Sequence, residues 1–174
     1  MELHDVAQHL VDSLTERQRK EPSSATAEGV VFFQAAETIG VRSLSKAQAG
    51  WYVMDMHGGV MPKDRCPIAE ADAFVLFDEA HCRGSDMKLR PDACAVLTLG
   101  PHMGREKLVQ AAARMRQLEK QQTVILLGTE EACQSIRETC ELACTTEIQP
   151  KHVIEWVLCN TAEAHFQVSY AHLQ

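Results

Sequence analysis

Short runs of apolar, β-favouring residues alternate along the chain with stretches that carry the apolar spacing of helices. The first helical pattern spans residues 2–20, and the first strand pattern spans residues 30–33. The runs at 30–33 and 124–127 are apolar at every position, which is typical of parallel strands buried on both faces. This alternation predicts an α/β fold, in which helices cover both faces of a mostly parallel sheet.

The rest of the chain follows the same order. Further strands are predicted at residues 51–54, 74–77, 93–99 and 123–127, and further helices at 36–48, 105–120 and in two stretches beyond 128. Three regions result: an N-terminal helix and linker at 1–28, an α/β lobe at 29–128 and a C-terminal helical extension at 129–174. Val153, Ile154, Trp156 and Val157 of the last helix are expected to dock against another part of a larger protein.

Composition narrows the class of protein. A chain of 174 residues is one domain long, and such a domain buries roughly 70% of its unfolded surface. Its seven cysteines follow no disulfide spacing, no secretory leader is apparent, and no apolar run is long enough to span a bilayer. We therefore expect a soluble, reduced, intracellular protein. The net charge of -7 gives no general basic surface, so any nucleic-acid contact would be local or shared with a partner.

The sequence Asp78-Glu79-Ala80-His81 follows a predicted strand and spells the box with which helicase ATPases hold Mg²⁺ and activate water. Such a box requires an upstream Gly-rich loop ending in Gly-Lys-Ser/Thr, whose amides and lysine bind the phosphates. No such loop precedes Asp78. We interpret these residues as a strand-end loop with exposed carboxylates, and we predict no metal site.

Four stretches, in order and on the expected elements, resemble motifs of the second RecA-like lobe of superfamily-two helicases. They are the strand 30–33, Met56-His57-Gly58 with Arg65, Arg83-Gly84-Ser85-Asp86, and Gln110 with Arg114-Met115-Arg116. The resemblance covers residues 29–128 and implies a RecA-like three-layer α/β/α fold. The last of these motifs supplies arginine fingers in that family.

The resemblance implies catalytic roles for Arg114 and Arg116, with Gly84, Asp86 and Gln110 at the nucleotide interface. A guanidinium presented from a facing lobe stabilises the negative charge that phosphoryl transfer spreads over oxygen atoms. Because the chain lacks a P-loop, it is expected to bind no cofactor alone, and to meet ATP and Mg²⁺ only together with a P-loop-containing partner lobe.

The sixth motif departs from the family pattern. Ala113 stands where the motif has Gly, and Arg116 follows Arg114 by two residues instead of three. On a regular helix the two guanidinium groups would therefore diverge. The alternative interpretation from the residues alone is ordinary: Gln110 and Arg114 form a solvated polar stripe, and Gly84 and Asp86 form a turn.

A narrower resemblance rests on the strings FDEAHCRGSDMKL, AVLTLGP, KLVQAAARMRQLEKQQ and VIEWVLCNTAEA. They resemble very large eukaryotic proteins that contain a helicase-like core and are commonly labelled ubiquitin thioesterases, or ubiquitinyl hydrolases. This resemblance implies a thiol-dependent hydrolase that cleaves bonds at the C-terminus of ubiquitin, with ubiquitin as partner. Cys82 is then the candidate nucleophile, since His81 and Arg83 would lower its pKa. A non-catalytic interaction module is the third alternative.

Overall fold

The computed structural model describes residues 2–21, 27–35, 49–81 and 86–171. These residues form a mixed α/β structure, and their contacts divide the chain into two compact units, Met1–Arg90 and Pro91–Gln174. The helix predicted at residues 36–48 lies outside the described residues, and the predicted boundaries after residues 28 and 128 stay predictions. The described elements are α1 (Leu3–Lys20), β1 (Gly29–Gln34), β2 (Gly50–Asp55), β3 (Val60–Pro62), β4 (Ala73–Val75), β5 (Cys94–Leu99), α2 (Arg105–Ala112), β6 (Thr123–Gly128), α3 (Glu130–Thr139) and α4 (Pro150–Ala171).

The first unit contains a mixed four-stranded sheet in the order β3-β2-β1-β4. β1 pairs with β4 in parallel, but the β1–β2 and β2–β3 pairs are antiparallel. The prediction of a mostly parallel sheet is therefore wrong for this unit. A short turn joins β2 directly to β3, and so direct a connection allows only an antiparallel pair. The Asp55 carboxylate accepts hydrogen bonds there from the N–H groups of His57 and Gly59, and Gly58 has a φ of 82°.

Strand β1 lies at the centre of this unit and is buried on both faces. Val30 and Phe32 face α1, where they pack against Ala7 and Val11. Val31 faces the opposite side and packs with Val53 and Met87. The apolar run at 30–33 thus forms the buried strand that its composition predicts.

The second unit is built on β5 and β6, which pair in parallel from Cys94↔Thr123 to Leu99↔Gly128, with α2 between them in the chain. Leu97 and Leu99 of β5 pack with Ile136 of α3 and with Trp156 of α4. The Trp156 indole N–H donates to the Ser135 hydroxyl over 2.9 Å. The expectation of docking elsewhere is wrong for Val153, Trp156 and Val157, since all three are buried in this unit's own core. Ile154 is 54% exposed, and its docking stays a prediction.

Only one face of the two-stranded sheet is covered in this way. Val96, Ile125 and Leu127 point to the other face and are 54%, 55% and 56% exposed. The prediction that the run at 124–127 is buried on both faces is therefore wrong. Its buried positions alternate with exposed ones, because the three helices of the second unit pack against a single face.

Helix α4 is the longest element, with 22 residues. Within the described part of the chain, no helix combines the length and the apolarity that a bilayer crossing requires.

Candidate functional site

Arg114 lies just beyond the end of α2 and not on the long helix predicted over residues 105–120. After Ala112 the backbone tightens into consecutive three-residue turns, in which the N–H of Arg114 donates to the Ala111 carbonyl and that of Met115 to the Ala112 carbonyl. The side chain of Gln122, which is 4% exposed, then accepts the N–H of Gln117. The Gln122 side chain, just before β6, therefore takes the place of the bond from Gln117 to the Ala113 carbonyl that a continuing helix would form.

The structure brings Gln110 and Arg114 together. The Arg114 Nε donates to the main-chain carbonyl oxygen of Gln110 over 3.4 Å, and the Gln110 amide donates to the Glu106 carboxylate over 2.7 Å. Arg114 is half-buried, Met115 is buried in the core, and Arg116 is exposed. The two arginines therefore lie on either side of the buried Met115, and Arg114 is held by the helix that precedes it.

The other end of α2 is held by α4. Gly104 occupies the N-cap of α2 and offers no side-chain acceptor. Instead, the Thr161 hydroxyl accepts the N–H of Arg105 over 2.8 Å, and the Asn160 amide donates to the Met103 carbonyl over 3.1 Å. This contact compensates a helix terminus that its own sequence leaves uncapped.

The remaining predicted interface residues belong to the first unit. Cys82 and Gly84 lie outside the described residues, and Asp86 is exposed at the start of the next described segment. Two residues on, the backbone N–H of Lys88 donates to the Glu70 carboxylate, which also forms an ion pair with Lys63. Asp86 is thus next to a fixed segment, but it belongs to a different unit from Gln110 and Arg114.

An Asp–His pair stands at the end of β4. The Asp78 carboxylate binds His81 twice: one oxygen lies 2.6 Å from the ring Nδ1, and the other accepts the His81 backbone N–H over 2.8 Å. The side chains of Asp78 and His81 remain 25% and 34% exposed. A carboxylate only accepts hydrogen bonds, so Nδ1 of this ring donates its proton to Asp78.

The plane of the His81 ring is fixed by aromatic neighbours. The ring stacks on Phe33 with a centroid separation of 3.6 Å and an angle of 13°. Phe33 meets Trp51 edge to face at 5.6 Å, and Trp51 meets Phe77 edge to face at 6.0 Å. These rings come from β1, β2 and the segment after β4, at the carboxyl end of the parallel β1–β4 pair, where α/β proteins commonly place ligand sites.

Sequence reasoning assigned this stretch to a loop with exposed carboxylates and did not find the pair. The signal was present, because the spacing Asp-x-x-His behind a strand lets a carboxylate bind the backbone and the ring three residues later. The stacking on Phe33 could not be found in this way, since it depends on β1 and β4 being neighbours.

The surroundings of Cys140 disfavour its thiolate form. Burial raises the pKa of the Cys140 thiol, and the charge and hydrogen bond of Glu155 raise it further. The same thiol lies 3.4 Å from the main-chain carbonyl of His152, while the His152 ring accepts the N–H of Gln149. Among the described residues, no group of three or more His, Cys, Asp or Glu side chains is arranged to hold a metal ion.

Comparison with known proteins finds no matching family model, no matching curated protein and no matching solved structure.

Proposed function

We propose that this chain is the second, arginine-donating lobe of a helicase-like ATPase core and that it acts on a nucleotide held by a P-loop-containing partner lobe. The observation that carries the proposal is the position of Arg114 at the end of the β5–α2 segment, with its Nε bound to the Gln110 carbonyl. A RecA-like lobe is built from such strand–helix–strand units, and the parallel β5–β6 pair supports that finer fold assignment.

The contact at Gln110 distinguishes Arg114 from an ordinary surface arginine. An exposed arginine side chain loses about 2 kcal/mol of rotamer freedom when it is fixed. Here the carbonyl already restricts the guanidinium, so less entropy is lost when it meets a phosphate. Arg114 is half-buried, whereas Arg116 is exposed, which supports Arg114 as the finger and Arg116 as an auxiliary contact.

The test is ATP hydrolysis by the full chain, alone and in the assembly with a P-loop lobe. We expect no hydrolysis by the chain alone. In the assembly, Arg114→Ala should lower kcat about 10³-fold, because the developing charge loses its guanidinium. Arg114→Lys should restore little, since an ammonium group lacks the planar fork. Arg105→Ala is the matched control on the same helix and should leave kcat within about twofold.

Two outcomes would contradict the proposal: hydrolysis of ATP by the chain alone, or an unchanged kcat in Arg114→Ala. The thiol-dependent hydrolase remains the alternative, and ubiquitin with a C-terminal electrophile tests it directly. A stoichiometric covalent adduct, lost in Cys82→Ser, would replace the ATPase proposal with that alternative. No adduct and no nucleotide effect in any assembly would favour the non-catalytic module.

A further inference from the structure

We infer that Cys140 and Cys159 form a redox-sensitive pair, which a small-molecule disulfide oxidises to a protein disulfide between the end of α3 and the middle of α4. The pair belongs to the second unit and requires neither a nucleotide nor a partner lobe. Two features carry the inference: contacts that bring both thiols to one side of α4, and their unequal exposure to solvent.

Cys140 is held against α4. It caps α3, and its Sγ lies 3.4 Å from the main-chain carbonyl oxygen of His152, in the first turn of α4. The half-buried side chain also packs against the core cluster that contains Val153 and Trp156. The Cys140 thiol is therefore fixed on the surface of the neighbouring helix and does not turn away into solvent.

Cys159 lies on the same side of α4 as that contact. It follows His152 by about two helical turns, so the two positions project in nearly the same direction. Side chains of a helix lean toward its N-terminus, which brings the Cys159 thiol back toward the turn that Cys140 touches. Burial raises the pKa of the Cys140 thiol, and the charges of Glu155 and Cys159 raise it further. Because such effects fade beyond a Debye length of about 10 Å, the two thiols are neighbours.

Unequal exposure gives the two thiols different roles. Cys159 is exposed and meets a dissolved disulfide, whereas Cys140 is half-buried and does not. The raised pKa keeps Cys140 in the thiol form, which is not the attacking species. An accessible cysteine beside a second, resolving cysteine is the arrangement of redox-sensor sites.

The reaction balances with the small disulfide as the oxidant. The Cys159 thiolate attacks one of its sulfur atoms, the small disulfide bond breaks, and a mixed disulfide forms as one thiolate leaves. The Cys140 sulfur then attacks the Cys159 sulfur and expels the second thiolate. The two leaving thiolates take up the two protons that the cysteines lose. The cysteine pair gives up two electrons, and the small disulfide accepts them.

The first test maps the bond after the full chain has been equilibrated with glutathione and glutathione disulfide. Trypsin places Cys140 on the peptide 138–151 and Cys159 on the peptide 152–174. The chain carries Cys144→Ser, because Cys144 would otherwise share the first peptide. We expect the two peptides to be joined, and the joined species to disappear when Cys159→Ser is added. Cys94→Ser, at another exposed cysteine of this unit, is the matched control and should leave it unchanged. Glutathione bound to Cys159 without any joined peptide would overturn the inference.

The second test asks whether the fold brings the thiols together. The same redox titration is run in native buffer and in concentrated urea, where the two cysteines are linked only by a flexible chain. We expect half-oxidation of the folded chain at a ratio of glutathione disulfide to squared glutathione that is at least about tenfold lower, because the fold raises the effective concentration of one thiol at the other. An equal or higher ratio for the folded chain would overturn the inference.

Discussion

At the residue scale, Glu70 is a charged group that links two other segments of the first unit. Its carboxylate binds the Lys63 ammonium and the backbone N–H of Lys88, and its side chain is only 16% exposed. Partial burial alone would raise the pKa of this carboxyl. The hydrogen bonds and charges of Lys63 and Lys88 outweigh burial and hold the pKa below its ordinary value of 4.5.

The lowered pKa of Glu70 predicts a pH dependence of stability. A carboxyl whose pKa is lower in the folded state stabilises the fold fully above its unfolded pKa, and this contribution is lost as the pH falls through the folded pKa. We expect Glu70→Gln to cost about 1–3 kcal/mol of unfolding free energy at pH 7, because charge-assisted hydrogen bonds are lost. The difference from wild type should shrink steadily below pH 4.5.

Urea unfolding of both proteins between pH 3 and pH 7 measures this difference. Glu28→Gln is the matched control, since Glu28 is an exposed carboxylate of the same unit whose backbone N–H donates to the Asp72 carbonyl. Its effect should stay within about 0.5 kcal/mol at every pH. A Glu70→Gln deficit that persists unchanged at pH 3 would show that packing, not charge, is responsible.

At the scale of single elements, α3 ends in a geometry that its sequence does not favour. Cys140 caps the helix, and Glu141 follows with a φ of 50°, in the left-handed region where a Cβ is disfavoured. The N–H of Leu142 donates to the Arg137 carbonyl over 2.9 Å and that of Glu141 to the Glu138 carbonyl over 3.4 Å. This is the Schellman pattern, whose left-handed position is usually glycine.

We therefore expect Glu141→Gly to stabilise the second unit by about 0.5–1 kcal/mol, because glycine adopts this conformation without strain. Urea unfolding followed by Trp156 fluorescence measures the change. Glu141→Ala is the control, since it removes the same carboxylate from the negative end of the helix but keeps the Cβ. A gain in Glu141→Ala as large as in Glu141→Gly would assign the effect to charge and contradict the backbone explanation.

Sequence patterns predict some of these elements and miss features that depend on distant residues. The apolar spacing of α1 and the run at 30–33 predict their elements well, because both depend on periodicity alone. The non-helical path of the chain at Gln117 could not be predicted, since the Gln117 N–H is bound by the buried side chain of Gln122. The Asp78–His81 pair was visible as a spacing, but its fixed ring plane depends on Phe33, a residue that only the β1–β4 pairing brings near.

At the scale of the whole molecule, each hydrophobic cluster is drawn from one compact unit. One cluster lies between α1 and the four-stranded sheet, another lies on that sheet's other face, and the third joins β5 and β6 to the helices of the second unit. The chain has two tryptophans, Trp51 in the first unit and Trp156 in the second. Each unit therefore carries its own fluorescent reporter.

Because each unit has its own core, we expect a destabilising core substitution in the second unit to lower the stability of that unit first. Ile136 is 1% exposed among the residues packed on Trp156, and Ile136→Ala should cost about 2–5 kcal/mol through lost burial and the cavity left behind. In a Trp51→Phe background, the unfolding transition reported by Trp156 should move to a lower urea concentration, by a shift that corresponds to this loss of free energy. In a Trp156→Phe background, Ile136→Ala should leave the urea concentration of the transition reported by Trp51 unchanged. Ile154→Ala, the same change at a position 54% exposed, should move neither transition by more than about 0.5 kcal/mol.

Equal shifts of both reporters in Ile136→Ala would show instead that the two units unfold as one cooperative body, because a change confined to one core can affect the other reporter only if both cores unfold together.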